Sequence, residues 1–202
     1  FFNRNTKNGS QKNIKFHYDL GNNFYQSWLD KSMTYSSAIF RDKRDNLYNA
    51  QINKYKNLAK MIDVKRNDKI LEIGCGWGGF TEFLAINYRA NVTAITISEN
   101  QYKSVKEKIY KKGLNDLVNV ELTDYRDISG KFDKIVSIEM FEAVGEKYWM
   151  DYFKILRNNL KSNGCIGLQT ITIDDRFFRK YRKFPDFIQT YIFPGGMLPS
   201  VE

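Results

Sequence analysis

A single histidine, two cysteines and three prolines among 202 residues narrow what this chain can do before any motif is read. With His17 alone, neither a His-based metal site nor a His-driven nucleophilic triad can be built, and this residue is expected to be a hydrogen-bonded lid residue. Cys75 and Cys165 stand far apart, each beside a strand-like stretch, so neither a disulfide framework nor zinc is expected. Both read as small packing residues in a reducing cytoplasm. No apolar run approaches the roughly 20 residues that span a bilayer, and nothing near Phe1 resembles a signal-peptide core. Membrane contact, if made, is expected to be peripheral. Pro185, Pro194 and Pro199 all fall late, leaving the centre of the chain uninterrupted.

What is present fits one globular domain, since 42% hydrophobic and 27% charged residues supply enough apolar surface to offset chain entropy. The net charge of +9 favours a negatively charged partner, either nucleic acid or an anionic membrane surface. The chain opens on Phe1 and stops at Glu202, just after the turn-like Pro194, Gly195, Gly196 and Pro199; a fragment of a longer protein is expected.

Residues 1–13, rich in Asn, Lys, Gly and Ser, lack apolar periodicity and read as a flexible, solvated arm. Residues 14–66 read as a helical cap: Phe16, Tyr18, Leu20, Phe24, Tyr25, Trp28 and Leu29 have helix-compatible spacing, and residues 47–62 form a second helix. Strands are predicted at 69–73, 91–97, 118–122, 134–138 and 165–173, with helices at 99–112, stopping at Gly113, and at 147–160, stopping near Asn163-Gly164. Strand and helix in alternation imply a doubly wound, mostly parallel α/β sheet over residues 67–173.

Between the first strand and its helix lies Glu72-Ile73-Gly74-Cys75-Gly76-Trp77-Gly78-Gly79. Gly74, Gly76 and Gly79 match G-x-G-x-x-G, a spacing that permits a tight turn and close approach of backbone to a nucleotide. A dinucleotide site would place an acidic residue at the end of the second strand. Here Thr96, Ser98 and Gln101 offer hydroxyl and amide contacts instead, while Ser98-Glu99-Asn100-Gln101 is equally a helix-capping box; the two roles are compatible. Asp124 and Tyr125, after the third strand, could receive an adenine amino group and ring, although an Asp there is also a common turn residue. With Glu72 before the glycines, these positions favour S-adenosylmethionine.

The sequence resembles the cyclopropane-fatty-acyl-phospholipid synthase family, which includes the mycolic acid cyclopropane synthases, from His17 to Ser200. The resemblance is carried by His17-Tyr18-Asp19-Leu20-Gly21-Asn22, Met33-Thr34-Tyr35-Ser36-Ser37-Ala38, residues 71–79, residues 96–101, residues 137–145, and Tyr191-Ile192-Phe193-Pro194-Gly195-Gly196. It implies a Rossmann-like methyltransferase fold whose sheet needs further strands beyond residue 173, with residues 174–202 opening a segment that covers the acyl chain. It implies S-adenosylmethionine contacts from Tyr35, Ser36, Gly74, Cys75, Gly76, Thr96, Ile97, Ser98, Glu99, Asn100, Gln101, Tyr125 and Arg126. It further implies a bicarbonate at the catalytic centre, held partly by Glu142, with Ser37, Ile138 and Gln169 at the same site. Without the family, Glu142 reads as a solvated residue opening the next helix, favoured there by the helix dipole.

The implied reaction adds a methylene group to the cis double bond of a phospholipid acyl chain, by methyl transfer and loss of a proton to a small base, closing a cyclopropane. Ser37 stands where the family commonly has cysteine, and Gln169 where it commonly has histidine. A glutamine can hydrogen-bond an anion but cannot take up a proton near neutral pH, so a methyl- or methylene-branched product is the alternative. The implied setting is cytoplasmic and peripheral to an anionic membrane, without nucleic acid, and compatible with a homodimer. The segment Arg176-Phe177-Phe178-Arg179-Lys180-Tyr181-Arg182-Lys183-Phe184 suits an interfacial helix or an ordinary one with its rings packed inward. A nucleic-acid methyltransferase has the basic charge in its favour but lacks an Asn- or Asp-Pro-Pro-aromatic motif after the fourth strand. A small-molecule methyltransferase would leave the motifs around Tyr35, Glu142 and Phe193 unexplained, and a non-catalytic lipid- or cofactor-binding module is the third competitor.

Overall fold

The computed structural model describes residues 5–18 and 21–202, the side chains of Gln11 and residues 15–18 excepted. The roles expected of His17, Phe16, Tyr18 and Leu20 lie outside the described residues and side chains. Helices α1 (Lys7–Tyr18), α2 (Asn22–Gln26) and α3 (Leu47–Met61) precede strand β1 (Lys69–Ile73). There follow α4 (Gly79–Tyr88), β2 (Asn91–Thr96), α5 (Glu99–Lys111), β3 (Val118–Leu122), β4 (Phe132–Ile138), α6 (Trp149–Asn159), β5 (Leu160–Gln169) and α7 (Asp175–Lys183).

The five strands form one sheet in the order β3-β2-β1-β4-β5, with every neighbouring pair parallel. Strand β1 is central, so Ile70, Leu71, Glu72 and Ile73 are all buried, the continuous burial of a strand covered on both faces. One face carries Ile70, Val92, Ala94 and Val136 under α3, α4 and α5, with Tyr55, Leu58, Phe80, Leu84 and Val105 in the layer above. The other carries Leu71, Ile73, Ile95 and Ile135 against Tyr152 and Leu156 of α6. Each such Leu or Ile taken from water contributes roughly 1.5–3 kcal/mol, and the strand order changes direction between β1 and β4. Open sheets of this kind bind ligands at that point, beyond the carboxyl ends of the strands.

The predicted alternation is realised, and Gly113 follows α5 with a φ of 62°. Several boundaries differ for physical reasons. Residues 7–13, expected within a flexible arm, form the first turns of α1; Asn5 just before it is buried and its side-chain amide donates to Gly195 O at 2.7 Å. Helix α3, expected within a cap, buries Tyr55, Leu58 and Ala59 in the core itself. Asn163-Gly164 does not cap α6, because the chain is already extended from Leu160 and runs through both residues as β5. Strand β5 ends at Gln169 rather than 173, since the Ile171 N–H is given to the Glu142 carboxylate and the Ile173 N–H to Pro199 O.

Gly167 on β5 lies directly beneath α3, where an added Cβ would fall 2.7 Å from Ile62 Cγ2 and 2.9 Å from Leu58 Cδ1. Gly167→Ala is therefore expected to destabilise the fold by about 1–3 kcal/mol through overpacking. Urea unfolding checks this, and an unchanged midpoint would mean that α3 is not seated on β5 as described.

Candidate active site

The glycine loop follows from what the backbone must do after β1. Gly74, Gly76 and Gly78 have φ of 76°, 55° and 76°, left-handed values that residues with a Cβ disfavour. The Gly74 and Cys75 N–H groups both donate to Ile95 O at 3.0 Å, tying the loop to β2. A Cβ on Gly74 would lie 2.8 Å from Met140 Cγ, whereas one on Gly76 would meet nothing within 4 Å; the loop is packed on one side and open on the other. Gly79 is constrained differently: a Cβ there would strike the Tyr55 hydroxyl and lie 2.9 Å from Thr34 Oγ1. Cys75 is buried, and burial pushes its thiol well above the ordinary range, so it packs rather than reacts.

The second and third strands supply the rim. Ser98 caps α5, accepting from Gln101 N at 3.4 Å, while the Gln101 amide oxygen accepts from Thr96 Oγ1 at 2.9 Å. The capping reading thus holds for Ser98, and Thr96 and Gln101 are fixed by each other. Asp124 is clasped by Arg126, which donates from Nε and Nη2 at 2.8 Å, so the turn reading of this carboxylate also holds. Arg126 reaches onward to Asn5 O at 3.2 Å and Ser10 Oγ at 3.1 Å, fastening α1 over this end of the sheet. Tyr125 meets Tyr152 edge to face at 5.2 Å. Ile97, Glu99 and Asn100 lie at the turn into α5, where Glu99 and Asn100 are exposed.

Carboxylates gather where β4 and β5 end. Glu142, in a short 3-10 helix at Phe141–Ala143, does not point into solvent. Its Oε1 accepts from Ile171 N, and its Oε2 is buried with no hydrogen-bond partner among the described residues. Burial raises its pKa against the Ile171 hydrogen bond, so this carboxyl holds a proton more readily than an ordinary one. Ser37, Gln169 and Ile138 do converge: Ile138 pairs in register with Gln169, whose amide donates to Ser37 Oγ at 3.0 Å. What they converge on is Glu139. Its Oε1 accepts from Ser37 N at 2.9 Å, Ser37 Oγ at 2.6 Å and Gln169 Nε2 at 2.9 Å. The donors expected to hold bicarbonate are engaged by a side chain, and as the chain stands they do not fit that ion. Glu139 has φ 48°, a left-handed conformation costing roughly 1 kcal/mol or more for a residue with a Cβ.

Behind this surface runs a buried polar network that the sequence reading passed over. Lys54 of α3, fully buried, donates to Ser36 Oγ at 2.6 Å, and Gln51 donates to Ser36 O at 2.8 Å. Burial pushes Lys54 down to about 8, opposed by the Glu139, Asp30 and Glu72 carboxylates. Glu72 is equally buried and accepts from the Thr81 hydroxyl; burial pushes its carboxyl up to about 8, opposed by Thr81 and Lys54. Glu72 is thus a structural carboxyl inside the sheet rather than a group on the loop surface. Two charged or amide side chains on the apolar stripe of residues 50, 51, 54, 55, 58 and 59 were the available signal for Gln51 and Lys54. A wall of aromatic rings closes the site: Tyr35 stacks on Phe193 at 6.4 Å and meets Trp28 edge to face at 5.3 Å, while Tyr25 lies 4.8 Å from Trp77.

The mycolic acid cyclopropane synthetase family model matches residues 5–202. The chain belongs to that family. It is 42% identical to the cyclopropane-fatty-acyl-phospholipid synthase of Escherichia coli K12 over 188 residues, covering 93% of this chain and 47% of that protein. It is 35% identical to the tuberculostearic acid methyltransferase UfaA1 of Mycobacterium tuberculosis, covering 98% and 48%. The chain therefore spans about half the length of these curated relatives. The mycolic acid cyclopropane synthase CmaA1 in complex with SAH and CTAB superposes with a TM-score of 0.88 at 30% identity, over 95% of this chain and 70% of that one. The fold is that of Rossmann-like S-adenosylmethionine methyltransferases, and the glycine loop with its open side at Gly76 fits that cofactor.

Because Glu72 has an ordinary pKa of 4.5 and a folded value of about 8, the folded state keeps a proton that the unfolded chain has released between those pH values. Its contribution to stability is greatest below pH 4.5 and declines as pH rises to 8, with a slope of up to about 1.4 kcal/mol per pH unit. Glu72→Gln should remove that slope in denaturant titrations run across the window. A variant that follows the unaltered protein at every pH would show that Glu72 is ionised in the fold.

Proposed function

We propose that the protein is an S-adenosylmethionine-dependent methyltransferase that transfers a methyl or methylene group to the cis double bond of an unsaturated phospholipid acyl chain. The observation that carries this reading is the pairing of an open glycine loop with a carboxyl cluster inside an aromatic wall. Met140 packs against Gly74, so the segment bearing Glu139 and Glu142 adjoins the loop, and Tyr25, Trp28, Tyr35, Trp77 and Phe193 supply rings around it.

S-adenosylmethionine supplies an electrophilic sulfonium methyl when bound. An alkene is a weak nucleophile, so the residues of the chain must hold the double bond close, aligned and dry. Tyr35, Ser36, the backbone of Gly74, Cys75 and Gly76, Thr96, Ser98, Gln101 and Tyr125 with Arg126 are the groups for the cofactor. The aromatic wall faces the acyl chain, its rings able to lie beside a developing cation. Glu142, held by the Ile171 N–H, is the buried carboxyl that orients the reacting end. One relative is named a cyclopropane synthase and another a methyltransferase, so ring closure is the first expected product and a methyl or methylene branch the alternative.

The segment after β5 supports a peripheral anionic-membrane contact. Phe178 packs inward, stacked on Trp149 at 6.5 Å, while Phe177, Phe184, Phe187 and Tyr191 are 56–67% exposed among Arg176, Arg179, Lys180 and Lys183. Exposed rings amid cations suit the headgroup region of a bilayer. No helix among the described residues is long and apolar enough to cross it.

The test is to incubate the full-length protein with S-adenosylmethionine and vesicles of cis-unsaturated phospholipid, then identify the acyl product by NMR. Glu142→Gln is expected to keep cofactor binding and lose turnover by about 100-fold or more; undiminished turnover removes Glu142 from the mechanism. Phe184→Ser with Phe187→Ser should weaken sedimentation with anionic vesicles while leaving cofactor affinity intact, and equal vesicle binding would place the membrane contact elsewhere.

A further inference from the structure

We infer that the Glu139 carboxylate is the resident anion of this site and the proton acceptor of the reaction, standing where the family resemblance implies a bicarbonate. Three observations carry it. All three donors at the convergence of Ser37 and Gln169, namely the Ser37 N–H, the Ser37 hydroxyl and the Gln169 amide, are directed to one oxygen of Glu139, at 2.6–2.9 Å. No hydrogen bond from the described residues reaches its other oxygen, Oε2, and a carboxylate so held keeps a free lone pair for a proton. Glu139 adopts φ 48°, where glycine is the residue without penalty. Strain of this kind persists only where surrounding contacts over-determine it, and here those contacts are the three donors together with the Glu139 N–H bonded to Gln169 O at 2.8 Å.

The same arrangement accounts for both departures of the sequence. Ser37 adds a hydroxyl donor to the backbone N–H at that position, and Gln169 supplies an amide N–H that stays a donor at every pH. A group that need not titrate suffices at 169 when the base is the neighbouring carboxylate. The inference rests on the acyl-chain reading above. One alkene carbon forms a bond to the methyl carbon as the sulfonium S–CH3 bond breaks, its electron pair leaving on sulfur. The neighbouring carbon is left cationic. Glu139 then takes a proton from the added methyl group, and the electrons of that C–H bond close the ring; atoms and charge balance with S-adenosylhomocysteine and one proton as the other products. In the methylene-branched alternative the cation moves by hydride shift before the same carboxylate takes a proton from the added methyl group, leaving a C=CH2; a saturated methyl branch needs a separate hydride donor.

Two measurements on the full-length protein test this. In the first, 13C-bicarbonate is titrated and followed by NMR: no bound signal is expected with the unaltered protein, whereas Glu139→Gly, which relieves the left-handed strain and vacates the donors, is expected to bind it. Stoichiometric binding by the unaltered protein that is lost in Gln169→Ala would overturn the inference. In the second, turnover is followed in carbonate-depleted buffer. The unaltered protein should keep its rate within about twofold, Glu139→Gln should lose about 100-fold or more with cofactor affinity and unfolding midpoint retained, and Glu139→Gly should recover about tenfold on adding bicarbonate. Full activity in Glu139→Gln, or a bicarbonate requirement in the unaltered protein, would overturn it. If no lipid is turned over by any form, the acyl-chain reading fails separately, and the NMR titration alone decides whether Glu139 is the resident anion.

Discussion

The buried carboxyl of Glu72 is the constraint on which the rest of the site leans. It lies on the central strand with both faces of the sheet covered, where an unpaired charge would be prohibitively costly. The Thr81 hydroxyl on α4 donates to it, and the charge of Lys54 on α3 acts on it without a hydrogen bond. Lys54 is itself buried on α3, and its Nζ is held at Ser36. Ser36 in turn fixes its neighbours Tyr35 and Ser37, and Ser37 reaches Glu139 across the end of the sheet. A polar line thus runs from the inside of the sheet to its chemical edge.

The two sides of the crevice are built by different means. The cofactor side is mostly backbone: left-handed glycines and carbonyl-bound N–H groups whose positions follow from strand geometry. The side proposed for the acyl chain is mostly side chain, with rings over a floor of carboxyl and amide groups. Such a division suits chemistry in which one reactant carries many hydrogen-bonding groups and the other almost none.

Much of this was legible in the sequence where a period or a backbone constraint governs. The strand at 69–73 and the strand at 118–122 match in both bounds, and the glycine loop falls where its spacing demands. The end of β5 was harder because tertiary partners set it: the N–H groups of Ile171 and Ile173 leave the ladder for Glu142 and Pro199, which no local pattern encodes. The first turns of α1, over residues 7–13, were missed because their ordering contact, Arg126 with Asn5 and Ser10, bridges residues more than a hundred positions apart. Glu139 was overlooked in favour of Glu142 because two carboxylates three residues apart look alike until the left-handed turn between strand and helix sends them to different donors. Gln51 and Lys54 carried only the signal of polar side chains on an apolar stripe, and burial is what gives them their role.

Gly79 carries a consequence for how this sequence can drift. The space its missing Cβ would need is filled by the Tyr55 hydroxyl, which is itself hydrogen-bonded to Thr34. A larger residue at 79 requires removal of that hydroxyl, and its removal leaves the Thr34 hydroxyl with Ser32 Oγ as its remaining partner, just before the Tyr35–Ser37 segment. Positions 34, 55 and 79 are therefore sterically coupled, so that a larger side chain at 79 is tolerated only with a compensating change at 55.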